Sequence, residues 1–589
     1  VSRFHARGLG VALALGLALV WPGHSLSADD DPLARFEGAL AQSAEGGLVP
    51  GARGSVVTVL EGKRRIEIPL TYLGTYRNFS GPGYDLHLVQ LEGPEAERVG
   101  VAAGMSGSPV YFDGKMIGAL AYRLGFMPKT AIGGVTPIED ILDAAREEQQ
   151  GQPSDSGISP IATPVSAVGL SSGARAWLAP HLAEAGLMLS AGGAGGDGGS
   201  AERSLEPGSP VGVELVRGDM RIAATGTVTW VEGDRVYAFG HPFLGSGRVE
   251  MPMVSAEVIH TLADLAGSFK LSNIGGELGA VVEDRHAAIV GQMGRRARMI
   301  PVDLSVHGAD YGDADYSFEV IRSPTLAPVL SAVSVMTALQ TSAGYSQTAT
   351  LMARGRVRMR DLPDLPLEMA VAGTAGSDPS GLLAAELVGI LGALWRSPFG
   401  DPGVLGIELA VEARREIVRY KLEELHYDRE ALRPGDTLEV RCVLRPYRGD
   451  PITKLLTLQL PERLPEDGRL VLVVGNPRNV DVALGNVLSQ RFRSAEDPAG
   501  YIGVLADLHA PHRLTALVVE RGGAVIAGGD AYSQLPPTAE RLLATRNKGT
   551  RRRAAAYSPI ASAETALDGP IAGTLQIRLR VQSGGTRNN

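Results

Sequence analysis

The stretch Gly104–Tyr122, GMSGSPVYFDGKMIGALAY, sets a serine in a turn and follows it at once with two apolar runs. The runs meet at Asp113–Gly114, a dipeptide suited to a hairpin because both positions tolerate φ > 0. Ser106 is flanked by Gly104 and Gly107. Without a Cβ, Gly104 leaves the backbone free to bend and to aim its N–H into the same pocket as that of Ser106. A nucleophilic serine needs an exposed hydroxyl on a tight turn, a base to take its proton, and donors for the oxyanion. The turn supplies the first and third. A hairpin after the serine, in place of a helix, favours a β-barrel over the nucleophile elbow of an α/β sheet.

Outward from this hairpin the chain reads as mainly β. GSVVTVLEG and RRIEIPLTYLG are strands around a turn at Glu61–Lys63, and DLHLVQLEG is another. GVTPIEDILDAAREE reads as a helix with Thr136 as N-cap, Pro137 in the first turn and Glu139 completing a capping box. Residues 151–205 shift to Gly, Ser, Ala and Pro and read as a linker. Their formal G-x-G-x-x-G (Gly193, Gly195, Gly198) lacks the flanking strand and helix of a dinucleotide site, so no cofactor is expected. A second β block, 206–325, carries a turn at Glu232–Asp234. Residues 326–402 are mixed, with a buried helix over Gly381–Trp395 capped by Asp378 and Pro379. Residues 403–589 alternate as strands and read as β-sandwich-like.

Composition bounds the function. The 589 residues include 75 Gly and 37 Pro, which suits a turn-rich β protein, and 44% are hydrophobic, enough for sizeable cores. A net charge of −9 argues against nucleic acid as the main partner. The basic run Lys548–Arg553 reads as a solvated loop. Arg3 and Arg7 precede an apolar stretch and then small residues before an acidic start, so residues 1–28 read as a secretory signal. The initial Val1 fits a non-AUG start codon and points to a bacterium. Export to the periplasm or beyond is the expectation. The single cysteine, Cys442, lies in an alternating strand, is expected to be buried, and has no partner for an internal disulfide.

Among eleven histidines one stands out as a base. His241, in AFGHPFLGSG, ends an apolar strand where Gly240 and Pro242 break the chain. His509 and His512 form HAPH, but Pro511 interrupts the helix that would align them on a metal, and no metal is expected.

The two segments together resemble the SpoIVB-type (sporulation stage IV B) serine peptidases. GMSGSP is similar to that family's nucleophile motif, and GTVTWVEGDRVYAFGH, Gly226–His241, is similar to its histidine segment. The resemblance implies Ser106 as nucleophile, His241 as base, and the N–H groups of Gly104 and Ser106 as the oxyanion hole. It implies a chymotrypsin-like two-barrel module, with the serine-bearing half in 29–150 and the histidine-bearing half in 206–325. The order is permuted, since Ser106 precedes His241 here and follows the histidine in the family. For the acidic third member the nearest matches are Glu92 and, further back, Asp85. Glu92 is taken as the orienter, with a solvated rim carboxylate as the alternative. The expected function is an exported serine endopeptidase acting on a protein, a peptide or itself. The alternatives are a non-catalytic, protease-like envelope scaffold and an esterase, which the barrel-type turn disfavours. The C-terminal β region is expected to bind a partner or the cell envelope.

Overall fold

The computed structural model describes residues 48–125, 128–144, 157–191, 205–308, 312–342, 346, 348–374, 376–465, 469–484, 495, 497–508, 510–527, 530–533, 538 and 554–582. The expected signal segment 1–28, the Gly193–Gly198 motif, the basic run Lys548–Arg553 and His509 lie outside these residues.

The protein is mainly β. Its first unit comprises β1 (Arg53–Val59), β2 (Arg65–Tyr76), β3 (Leu86–Leu91), β4 (Ser108–Phe112), β5 (Lys115–Leu124), β6 (Ile132–Pro137) and β7 (Ile158–Pro160). The pairing runs β4-β1-β2-β3-β6-β5 and returns from β5 to β4, which closes a six-stranded antiparallel barrel. Register shifts at Tyr72/Gly74, Val110/Tyr111 and Leu120/Tyr122 supply the bends that closure needs. The hairpin turn falls where the sequence places it. Asp113 (φ 49) and Gly114 (φ 72) both take the left-handed conformation that lets a two-residue turn match strand twist. Val56, Ile68, Leu70, Met105, Val110 and Leu120 fill the interior.

Next come β8 (Thr163–Val168), β9 (Leu187–Ala191), β10 (Pro210–Gly218), β11 (Arg221–Glu232), β12 (Arg235–Ala238), β13 (Gly247–Leu262), β14 (Phe269–Asp284) and β15 (Ile289–Met293). Among them β10-β13-β14-β15-β12-β11 pair antiparallel and return to β10, a second closed ring of six. Around the Glu214/Val216 bulge β10 keeps β11 on one edge and exchanges β13 for β17 (Ala314–Val320) on the other. From there the sheet continues through β16 (Ile300–His307), β20 (Val404–Arg414), β18 (Thr350–Met359) and β19 (Leu365–Ala372). The helices Ala327–Thr341 and Pro379–Trp395 share one apolar core with this extension. Asp378 caps the second helix as expected, its carboxylate accepting from Ser380 N at 2.9 Å.

Three boundaries differ from the expectation. Residues 157–191, expected within a linker, form β7, β8, β9 and the helix Ser172–Glu184, capped by the Ser171 hydroxyl. Their Pro, Ser and Ala content hid three short strands whose stability comes from neighbours they join rather than from their own propensity. Val404–Arg414 belongs to the large sheet, running parallel to β16, not to the C-terminal region. The helix after β6 spans Ile138–Asp143, but Pro137 stands at its N-cap position and Thr136 remains in β6.

Beyond residue 414 two further sheets share a core. One is ordered β23 (Ile452–Gln459), β22 (Thr437–Pro446), β21 (Tyr420–Tyr427), β28 (Ile571–Ala572). The other is β26 (Asp530–Ser533), β25 (Arg513–Ala527), β24 (Leu470–Gly475), β29 (Thr574–Arg578), with β27 (Ala554–Ala566) against β25. Cys442 is buried in that core, which pushes its thiol pKa up to about 12 and leaves it inert.

Candidate active site

Ser106 lies in the loop that enters β4. Met105 N–H donates to Ala102 O at 3.0 Å and Ser108 N–H to Met105 O at 3.0 Å, so two tight turns overlap around the serine. Gly104 (φ 89) and Gly107 (φ 92) supply the left-handed backbone that the turns require. The loop is stitched to the second ring. Ala103 N–H donates to Ser268 O (2.8 Å), Lys270 N–H to Ala103 O (3.0 Å) and Thr227 N–H to Ser106 O (2.9 Å). The Thr227 and Thr229 hydroxyls donate to Gly104 O (2.9 Å) and Gly107 O (2.8 Å). Among the described residues the loop's backbone bonds are donated by Ala103, Met105, Gly107 and Ser108. The N–H groups of Gly104 and Ser106 donate none of them.

His241 follows β12 through a strained turn. Phe239 has φ 73, an unusual conformation for a bulky buried residue, and Gly240 has φ 71. The Phe239 ring occupies the space that a Cβ on Gly226 would take, and Phe239 N–H donates to Thr227 O at 3.2 Å. Thr227 therefore joins both segments, its N–H holding the serine loop and its carbonyl the histidine turn. The first barrel holds that turn in exchange. Thr136 Oγ1 donates to Gly240 O at 2.6 Å, and Gly240 rests on Ala119 and Ala121. Thr136, expected as a helix cap, instead bridges the two units.

The imidazole is 3% exposed, and Ser106 is 0% exposed. His241 Nδ1 lies 2.7 Å from Pro242 O. A carbonyl only accepts, so Nδ1 carries the hydrogen and Nε2 holds a lone pair. Burial pushes the His241 pKa down to about 4, against a smaller upward effect of the Pro242 and Ile161 backbone. Among the described residues neither Ser106 Oγ nor His241 Nε2 has a hydrogen-bond partner. Buried polar atoms are nearly always paired, so two unpaired ones on adjoining loops, an acceptor nitrogen and a hydroxyl, call for a functional explanation.

Glu92 does not orient His241. Its carboxylate accepts from Thr71 Oγ1 at 2.7 Å and Arg53 Nη1 at 3.2 Å, on β2 and β1 of its own barrel. It is a half-buried rim carboxylate. Asp85 accepts from Asn78 N at 2.9 Å in a surface turn. The carboxylate that supports the histidine turn is Asp284, at the end of β14, which sequence reasoning missed. It accepts from Phe243 N (2.8 Å), Leu244 N (2.8 Å) and Ser246 N (3.3 Å), immediately after His241–Pro242. Burial pushes its pKa up more strongly than these bonds pull it down.

Lys270 was missed as well. It is 1% exposed, its stem lies against Gly104, and its Nζ is 3.0 Å from Thr58 Oγ1 and 3.1 Å from Thr227 Oγ1. Thr58 Oγ1 also accepts from Ser108 Oγ at 3.0 Å. The only signal in the sequence was one lysine in the alternating run SFKLSN. Burial pushes its pKa down to about 7. With the folded value below the ordinary one of 10.5, the unfolded chain binds more protons between the two, so stability falls as pH drops from 10.5 towards 7. At about 1.36 kcal/mol per unit the span is on the order of 5 kcal/mol. Lys270→Met is expected to flatten this slope. Urea unfolding of both proteins at pH 6, 8 and 10 measures it, and parallel curves would refute the assignment.

Among the described residues no cluster of His, Cys, Asp and Glu could hold a metal. His512 is buried with Nε2 3.6 Å from Glu368 Oε2, in an ion-pair group with Arg513. Compared with known families, curated proteins and solved structures, the chain matches no family model, no curated protein and no solved structure.

Proposed function

We propose that the chain is an exported serine endopeptidase of the SpoIVB type, with chymotrypsin-like halves in permuted order. The observation that carries this reading is the pair of buried, unpartnered atoms Ser106 Oγ and His241 Nε2, on two loops clamped to the one residue Thr227. The two closed six-stranded rings, one bearing each residue, support it. In the reaction His241 Nε2 takes the Ser106 proton as Oγ bonds to the scissile carbonyl carbon. The resulting oxyanion is met by the Gly104 and Ser106 N–H groups. Imidazolium then gives the proton to the leaving amine as the C–N bond breaks, and water hydrolyses the acyl-serine by the same route. Asp284 holds the histidine turn without touching the ring, so the chemistry is that of a Ser–His dyad.

The full burial of Ser106 favours one second reading, a protease-like scaffold that binds without cleaving. A fluorophosphonate probe, which reacts with a serine activated by its neighbours, separates the two. Labelling of the wild type that is lost in Ser106→Ala and in His241→Ala is the expected result. A folded chain that takes no label supports the scaffold.

A further inference from the structure

The pairing of β4 with β5 ends at Ser108↔Leu120, with a last bond from Gly107 N–H to Leu120 O. There the serine loop turns away, while β5 runs on to Leu124. Its edge from Ala121 to Leu124 would be open, but β7 lies on it, with Leu124↔Ile158, Arg123↔Ser159 and Tyr122↔Pro160 antiparallel. Gly125 N–H donates to Gly157 O (3.1 Å) at one end and Ile161 N–H to Ala121 O (2.8 Å) at the other. The direction matters, because the segment runs along β5 towards the serine loop. Past Ile161, whose backbone faces His241, the chain crosses to β8, and Pro164 lies against Gly104, where a Cβ would stand 3.1 Å from its Cγ. Ile158–Pro164 thus runs from the β5 edge past His241 to Gly104, two residues from Ser106, which has no solvent exposure.

The segment is laid down as a bound peptide would be. It makes main-chain bonds to one sheet edge, the mode by which an extended peptide adds a strand. Two side chains anchor it. Ile161 packs into the barrel core with Met105 and Leu120, and Ile158 joins Phe79, Tyr122 and Ile132. Ser159 between them is exposed. Three strand residues that include a proline are a light hold for an edge.

We infer that the Ala121–Leu124 edge of β5 receives the extended peptide substrate, and that Ile158–Ile161 is the chain's own segment standing in the substrate's place and keeping the site closed until it is displaced. The inference rests on the peptidase reading. It assigns the substrate class as an extended chain with apolar residues at the Ile158 and Ile161 positions, three apart.

A reversible lock tests it. Arg123 and Ser159 face each other in register, at a Cα spacing of about 5.5 Å typical of such pairs, within reach of a disulfide. The one native cysteine, Cys442, is buried elsewhere. In Arg123→Cys/Ser159→Cys, the oxidised protein is expected to take the fluorophosphonate at least tenfold more slowly than the same protein after reduction. Ile161→Gly, which removes an anchor, is expected to label at least tenfold faster than the wild type. Equal rates in the locked and reduced forms would overturn the closing segment and leave the serine chemistry intact. No labelling of wild type, reduced lock or Ile161→Gly, all folded by circular dichroism, would overturn the peptidase reading and this inference with it.

Discussion

Asp284→Ala is expected to lower stability by about 2–4 kcal/mol and to slow labelling of Ser106 at least a hundredfold. The carboxylate is buried and accepts the N–H groups of Phe243, Leu244 and Ser246. Alanine removes the acceptor of all three donors; the buried Phe243 N–H then costs roughly 1–3 kcal/mol, with smaller losses at half-buried Leu244 and exposed Ser246. The loss falls on the turn that starts at His241–Pro242. That turn already carries left-handed Phe239, a strained conformation that persists only where its surroundings enforce it. Without the carboxylate the turn relaxes and His241 leaves its position beside the serine loop. Asp284→Asn retains one acceptor oxygen and is expected to fall between wild type and alanine. Urea midpoints give the stability and probe kinetics give the activity. A variant that loses stability but labels at the wild-type rate would show that Asp284 supports the fold without positioning His241.

The second large effect is expected at Gly107. A Cβ there would collide with the Thr227 carbonyl oxygen and stand 2.5 Å from Phe239 N, at φ 92. Backbone lines both sides, so no side-chain rotation relieves the overlap. Gly107→Ala is expected to cost about 3 kcal/mol or more and to abolish labelling, because it pries the serine loop and the histidine turn off Thr227 together. Gly114→Ala is the matching control. Gly114 also has positive φ, 72, but its Cβ would meet nothing within 4 Å. Only the conformational penalty of about 1 kcal/mol applies there, and labelling is expected to persist. Similar losses at the two positions would mean that the close approach at Gly107 is not what holds the site.

The segments that form the candidate site were legible because their signals are local. A serine between glycines, an Asp-Gly hairpin and a histidine between Gly and Pro each constrain a few consecutive dihedrals, and such constraints are written in neighbouring residues. The same holds for Asp378 and Pro379 at the start of the helix they cap. Glu92 was misjudged because proximity along the chain stood in for proximity in space. At the end of β3 its partners are Thr71 and Arg53, on adjacent strands. Lys270, Thr227 and Asp284 lie in ordinary-looking strands, and their roles depend on which loop lands beside them.

Local sequence carried the strand-and-turn character of the chain, the barrel-type turn around Ser106 and the end-of-strand setting of His241, though not its burial. These follow from backbone preferences that act over a few residues. Long-range packing alone sets the shared hold of both segments on Thr227, the brace of Asp284 on the histidine turn, the burial of Lys270 against the serine loop, and the run of Ile158–Ile161 along β5. Each of these joins residues far apart in the chain through main-chain bonds or burial. Apart from proline, every residue type carries the same main-chain donor and acceptor, so the sequence carries no mark of which distant strand will meet them.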